Sequence, residues 1–221
     1  MKIGIVIPTY NEEKNLQSIL PKIKMEIHGA QVFIMDDRSK DGTIRIAKQH
    51  GAIVPYTKKT LYYGQSLIKG ITKAFYEYNC DIVIQMDADH PTTILRELID
   101  LIKTNNADLI IGTEVGSRST RGFACWLAKK FLGLNYTHPT CGLRAWSKNA
   151  FNRVDWRKMK ATGFSIQIET LFWAQKSELV IKEKEFTGGS HKKLPVYRII
   201  EWLATLGRLM LRRTLLSIFL Y

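Results

Sequence analysis

Two carboxylates one residue apart, Asp87 and Asp89 in Met86-Asp87-Ala88-Asp89-His90-Pro91, follow the largely apolar stretch 82–86. Burying such a pair without partners costs several kcal/mol or forces protonation. A divalent cation with hard oxygen ligands, Mg2+ or Mn2+, resolves that difficulty, and it would do so by bridging diphosphate oxygens. The competing reading is a turn or a helix N-cap, where Asp is common. Two further polar clusters follow apolar runs in the same way: Pro8-Thr9-Tyr10-Asn11-Glu12 after residues 3–7, and Asp36-Asp37-Arg38-Ser39-Lys40-Asp41 after residues 31–35.

The elements that must position these clusters can be read from spacing. Residues 3–7 form an unbroken apolar run of strand length, the pattern of a strand buried on both faces. Leu16, Ile19, Leu20, Ile23 and Ile27 give helical spacing over 12–27, and residues 31–35 read as a second strand. A helix over 43–50 stops at Gly51, and residues 53–56 predict a short third strand. Further helices are predicted over 66–78 and 91–105, with strands over 81–86 and 108–112. Beyond Gly112 the pattern loosens, with helices over 123–134 and 165–176, a strand over 179–186 and a basic loop over 188–193. Strands alternating with helices predict a Rossmann-like α/β domain whose mostly parallel sheet is flanked by helices. Ligands bind beyond the carboxyl ends of such strands, and all three polar clusters fall there.

The formal net charge of +13 calls for an anionic partner: nucleic acid, a phosphorylated ligand or an anionic membrane surface. Acidic residues crowd the predicted rim and would repel nucleic acid, so no nucleic-acid partner is expected. Cys80, Cys125 and Cys141 lack zinc-finger spacing and read as reduced structural thiols. The N-terminus carries no signal-peptide pattern, and the catalytic part is expected to face the cytoplasm. Residues 191–221 hold six basic residues against Glu201 alone. Within them Arg198, Glu201, Thr205, Arg208 and Arg212 recur every three or four positions, with Ile, Leu, Met and Trp between. A broad apolar face, an Arg-bearing polar face and a Trp suit a helix lying in a membrane interface, or one packed on the domain or on a second subunit. A transmembrane reading fails on length, because eight residues follow Arg213 where about 20 are needed. The expected organisation is a catalytic domain over 1–190 and a basic amphipathic C-terminal segment over 191–221.

In order along the chain, residues 6–13 (Val-Ile-Pro-Thr-Tyr-Asn-Glu-Glu), 35–43 (Met-Asp-Asp-Arg-Ser-Lys-Asp-Gly-Thr) and Asp87-Ala88-Asp89 together resemble the family 2 glycosyltransferases. The likeness is to the branch that glycosylates dolichyl and other polyprenyl phosphates. Pro139-Thr140-Cys141-Gly142-Leu143-Arg144-Ala145 and Gly163-Phe164-Ser165-Ile166-Gln167-Ile168-Glu169 extend it. The resemblance implies a GT-A fold, a nucleotide-sugar donor of the GDP-mannose or UDP-glucose type, and inverting transfer to a polyprenyl phosphate. It implies that Pro8, Tyr10 and Glu12 line the base and ribose pocket, that Asp37 bonds the base, and that Asp87 and Asp89 hold the metal. The residue types agree: Tyr10 offers a flat amphipathic face, and a carboxylate such as Asp37 accepts from a base N–H. Arg144, read as a loop residue, would grip the acceptor phosphate and, with Asp89, serve catalysis.

This chain departs from the family pattern in several places. His90-Pro91 follows Asp89 directly, where relatives interpose residues that include a further ligand, so a third ligand is left unassigned. Gly112-Thr113-Glu114 puts an acid where the family's acceptor-phosphate Arg stands; Arg118 lies just beyond, with Arg121 nearby. His138 replaces an Asp, and Lys192 or Lys193 must serve for a basic-loop Arg. A saccharide or protein hydroxyl acceptor is the alternative and needs a general base, for which His90, His138 and Glu169 are the candidates. A basic binding module on a non-catalytic GT-A scaffold is the third reading. Peripheral attachment at the cytoplasmic face of a membrane is expected, and homo-oligomerisation stays open.

Overall fold

The apolar run at the N-terminus becomes β1 (Ile3–Thr9), with nearly every residue buried, as a central parallel strand requires. The computed structural model describes residues 1–57, 60–104, 107–116, 125–188 and 196–218. β1 pairs in parallel with β2 (Gln31–Asp36) on one side and β3 (Ile82–Gln85) on the other. The sheet continues through β4 (Leu109–Glu114), β5 (Arg144–Ser147) and β6 (Ile181–Phe186) in the order β2-β1-β3-β5-β4-β6. Among the described strands only β5 runs antiparallel, hydrogen-bonded to β3 and β4.

The longer helices among the described residues are α1 (Glu13–Glu26), α2 (Thr43–Gln49), α3 (Tyr62–Tyr76), α4 (Leu95–Thr104), α5 (Lys148–Arg153), α6 (Ile166–Lys176) and α7 (Val196–Ile218). Alternation along the strands divides the core in two. Ile5 and Ile7 join Leu16, Ile46 and Leu98 from α1, α2 and α4, whereas Val6 joins Leu67, Phe151, Phe172 and Leu209 from α3, α5, α6 and α7. Each fully buried Ile, Leu or Phe contributes about 1.5–3 kcal/mol, so both layers are fixed by apolar burial. Gly70 sets the approach of α3 to the sheet. A Cβ there would stand 2.5 Å from Val6 Cγ1 and 2.7 Å from Met35 Cγ.

The α/β architecture matches the reading from spacing, with corrections. Residues 53–56 do not form a strand; Ile53 makes one isolated parallel bridge to Phe33. α3 begins at Tyr62, four residues earlier than its apolar spacing suggests, because Gly64 N–H is drawn onto Thr162 O (2.6 Å). In the region read as a helix over 123–134, residues 125–127 are helical as expected and 128–132 continue as a π-helical turn ending at Gly133 (φ +71°).

α7 packs on the domain, one of the arrangements its spacing left open, and Glu201, Thr205, Arg208 and Arg212 of its polar stripe find partners there. Glu201 accepts from Gly163 N–H (3.0 Å) and from the Ser165 hydroxyl, and Thr205 Oγ1 lies 3.0 Å from Ser165 Oγ. Arg208 reaches Glu169 at 3.2 Å, and the Arg212 guanidinium lies over the Trp173 ring. These groups find partners on the turn over 160–165 and on α6 that water would otherwise supply, and Leu206 and Leu209 bury beside them. Ile200, Leu203 and Leu211 are turned to solvent instead, 64%, 48% and 69% exposed. No described helix is long and apolar enough to cross a membrane.

Candidate functional site

Strand register sets the site. Thr9 stands beside Asp36 across β1 and β2, Val6 beside Gln85 across β1 and β3, and Gln85 beside Arg144 across β3 and β5. The carboxyl ends of β1, β2 and β3 therefore lie on one rim, which brings the three polar clusters together. The first two clusters interlock. Asp36, nearly buried, accepts from the Thr9 hydroxyl (3.0 Å) and from Ser39 N–H (2.9 Å). Asn11 N–H donates to Ser39 Oγ (2.8 Å), Lys40 N–H to Asn11 Oδ1 (2.8 Å), and Glu12 N–H to Thr43 Oγ1 (2.8 Å). Asn11 and Arg38 both take positive φ, 56° and 67°, which these bonds hold in place. Bonds from Thr43, its hydroxyl foremost, keep the Asp41 carboxyl below its ordinary range.

Of the residues expected to bind the donor, Tyr10 is 57% exposed at this rim and Pro8 is half-buried beside it. The Glu12 carboxylate accepts from the Asn15 amide. Asp37 accepts from the backbone N–H groups of Leu61 (2.8 Å) and Tyr62 (3.1 Å). It thereby fixes the entry to α3 and keeps about two of its roughly four acceptor positions for other donors.

Asp87, Asp89 and His90 are half-buried just past β3, with one potential ligand atom from each within 4.8 Å of the others. Two carboxylates at this spacing are the donor set that hard divalent cations take, so the residues fit Mg2+ or Mn2+. His90 is another matter. Its Nδ1 accepts from Asp87 N–H (2.9 Å), which commits the lone pair of a neutral imidazole to the turn. It could ligate only by giving up that bond.

Asp87 is itself held. Tyr63 OH donates to Asp87 Oδ1 (2.9 Å) while accepting from Gln167 Nε2 (3.0 Å). Burial first, and then the nearby Asp87 charge, raise the Tyr63 hydroxyl well above its ordinary pKa, so it stays a donor. The turn before β5 comes close enough that a Cβ on Gly142 would lie 2.9 Å from Asp87 Oδ2 and 3.2 Å from Tyr63 OH.

Arg144 corrects the sequence reading. It is not in a solvated loop; it opens β5 and is completely buried. Its Nε donates to Cys141 O (3.1 Å), one terminal nitrogen to Thr170 Oγ1 (2.8 Å) and the other to Pro139 O (2.8 Å). Burial pushes its pKa down to about 10, which still leaves it charged at neutral pH. The guanidinium fastens the 139–142 turn against Asp87. Glu169, also buried, accepts from Lys160 N–H (2.7 Å) and Ala161 N–H (2.6 Å) and pairs with Arg208. His138 Nδ1 accepts from Glu114 N–H (3.0 Å). Arg118, Arg121 and Lys192 lie outside the described residues.

Sequence reading missed Tyr63 and the amides behind it. Gln85 carried one usable signal, since a polar side chain closing a buried apolar strand must have a partner.

Comparison with known proteins adds a separate line of evidence. The model of glycosyl transferase family 2 matches residues 4–164. Undecaprenyl-phosphate mannosyltransferase of Micrococcus luteus is 28% identical, across 78% of this chain and 77% of its own length. Dolichol-phosphate mannosyltransferase of Pyrococcus furiosus is 29% identical across 95% of this chain, a match that spans 64% of that longer protein. Among solved structures, glucosyl-3-phosphoglycerate synthase from Mycobacterium tuberculosis in complex with phosphoglyceric acid has a TM-score of 0.76 at 19% identity, over 95% of this chain and 80% of its own. The same synthase in complex with Mn2+, UDP-glucose and phosphoglyceric acid has a TM-score of 0.71 at 20% identity, over 93% and 80%. At that identity the likeness establishes a common fold.

Proposed function

The chain belongs to glycosyl transferase family 2, and from that premise we propose that it moves a sugar from a nucleotide sugar to a polyprenyl phosphate. The observation that carries the reading is the convergence of residues 8–12, 36–41 and 87–90 on one rim, with Asp87 and Asp89 in ligand-forming proximity. The names of the Micrococcus and Pyrococcus relatives, both transferases to a polyprenyl phosphate, support the acceptor class. The donor we propose is of the GDP-mannose or UDP-glucose type.

In this mechanism Asp87 and Asp89 would hold Mg2+ or Mn2+, which when bound neutralises the diphosphate as it departs. Asp37 directs its remaining acceptor positions at a base N–H, and the exposed ring of Tyr10, with Pro8 and Glu12, lines the base and ribose. An oxygen of the lipid phosphate attacks the anomeric carbon from the side opposite the diphosphate. The glycosidic C–O bond forms as the bond to the nucleoside diphosphate breaks, and the configuration inverts. The attacking phosphate is already ionised near neutral pH, so positioning does most of the work. Engagement of the would-be bases favours this acceptor over a hydroxyl. His90 and His138 each give the Nδ1 lone pair to a backbone N–H, and Glu169 is buried on two N–H groups and Arg208. Arg118, Arg121 and Lys192 are the cations proposed to meet the acceptor phosphate, with Arg144 bracing the turn beside it.

Incubation with labelled GDP-mannose or UDP-glucose, Mn2+ and membranes tests the reading. Label is expected in a butanol-extractable lipid, and Asp89→Ala should lower that transfer on the order of 100-fold. Label confined to aqueous products would instead favour a hydroxyl acceptor, and transfer indifferent to Asp89→Ala would remove the cation assignment.

A further inference from the structure

A buried hydrogen-bond chain with a single possible direction ends on Asp87. Trp146 is completely buried, and its indole can only donate; Nε1–H goes to Gln85 Oε1 (2.9 Å). That bond settles which end of the Gln85 amide is oxygen, an assignment that ordinarily stays ambiguous. Gln85 Nε2 must then donate, and it does so to Gly142 O (3.1 Å) and Gln167 Oε1 (2.8 Å). Gln167 is oriented in turn, and its Nε2 donates to Tyr63 OH (3.0 Å). A phenol has one proton. With its oxygen accepting from Gln167, Tyr63 has that proton to give, and Asp87 Oδ1 receives it at 2.9 Å.

Gln85 and Gln167 are 0% and 1% exposed, so neither can trade these partners for water without opening the core. The Tyr63 ring is stacked on Phe164, with centroids 4.1 Å apart and planes 14° off parallel, which limits its swing. Phe164 sits between Gly163 and Ser165, the two residues that bond the Glu201 carboxylate of α7. Gly64, next to Tyr63, is bonded to Thr162 O in the same turn. A Cβ on Gly64 would stand 2.7 Å from Ala161 O, so the backbones meet without room to shift.

We propose that Tyr63 is a positioning residue, the last link of a relay Trp146–Gln85–Gln167–Tyr63 that holds one oxygen of Asp87 and presents the carboxylate to the donor's cation. The assignment rests on the cation reading of Asp87 and Asp89 given above. A group behind a ligand fixes its orientation without touching the ion, and losing such a partner typically weakens metal binding about 10–100-fold. Tyr63→Phe is the matching variant because it deletes the hydroxyl and keeps the ring stacked on Phe164.

The test is Mn2+ affinity, read from the free-ion electron paramagnetic resonance signal during titration of the full chain with GDP or UDP present. Alongside it run the thermal midpoint without metal and a cycle with Asp87→Asn. The expected result is a Kd about tenfold higher in Tyr63→Phe, the same direction in Gln167→Leu, and no change in Tyr62→Phe, whose side chain is exposed. Added to Asp87→Asn, Tyr63→Phe should cause no further loss, because the group it positions is already altered. A Kd within twofold of the wild type, or an equal loss with and without Asp87→Asn, overturns the positioning role while leaving the cation assignment intact. Failure of the wild type itself to bind Mn2+ overturns the cation assignment, and the positioning role falls with it.

Discussion

Arg144 carries a full charge in a place water does not reach, and neutral oxygens surround it: two carbonyls of the preceding turn and the Thr170 hydroxyl. Charge-assisted bonds of this kind contribute about 1.5–3 kcal/mol each, and removing the donor leaves buried acceptors unsatisfied. Arg144→Met is therefore expected to destabilise the fold by about 2–4 kcal/mol, lowering the thermal midpoint by roughly 5–15 °C. Transfer should fall in step with the folded fraction. An unchanged midpoint with transfer abolished would return Arg144 to the phosphate-gripping role its motif suggests. The distinction was closed to sequence reading, because an Arg after Gly142-Leu143 looks the same whether it faces solvent or enters a strand. Asp87 and Asp89 were legible because two carboxylates following a largely apolar stretch have few stable fates. Tyr63 and Gln167 were not, because what makes them matter is a contact across 104 positions of sequence.

At the scale of elements, β1, β2, β3, α1 and α4 follow from local rules, since continuous apolar runs make parallel strands and three-four spacing makes packed helices. β5 escaped them. Four residues beginning with a buried Arg give neither alternation nor an apolar run, and only pairing with β3 and β4 makes them a strand. α7 illustrates a different limit. Its period was readable, but period does not say which stripe meets the protein, and Glu201, Thr205 and Arg208 turned inward because the turn over 160–165 and Glu169 supply their partners. Glu201→Ala should release Gly163 N–H and the Ser165 hydroxyl, at a cost of about 1–3 kcal/mol. Faster amide hydrogen exchange at Gly163 is the direct readout, and Glu201→Gln, which keeps a carbonyl acceptor, should restore part of the protection. Exchange at Gly163 that does not respond to Glu201→Ala would mean the helix is not what holds this turn.

Over the whole molecule, we propose that the outward face of α7 and the net charge of +13 serve one purpose, attachment to an anionic membrane surface. The outward stripe of Ile200, Leu203 and Leu211 runs along one face of α7 with Ala204 and Gly207 between, all of them exposed. Paired with that net charge, such a stripe suits shallow insertion among anionic headgroups, where a lipid-phosphate acceptor would reside. Deleting α7 would be a poor test, because it also removes the groups that hold residues 160–165. Replacing Ile200, Leu203 and Leu211 with Ser leaves Glu201, Thr205 and Arg208 in place and isolates the outward face. Full burial of each such side chain contributes about 1.5–3 kcal/mol, so partial insertion of three predicts a fall of at least tenfold in partitioning onto phosphatidylserine vesicles. The electrostatic part separates by salt: raising ionic strength from about 0.1 M to 1 M shortens the screening length from about 10 Å to 3 Å. Wild-type protein should then bind less, while the triple variant should bind poorly under both conditions. If the variant co-sediments as the wild type does but loses a dimer seen by light scattering, the stripe is a contact between copies of this chain and not the membrane face.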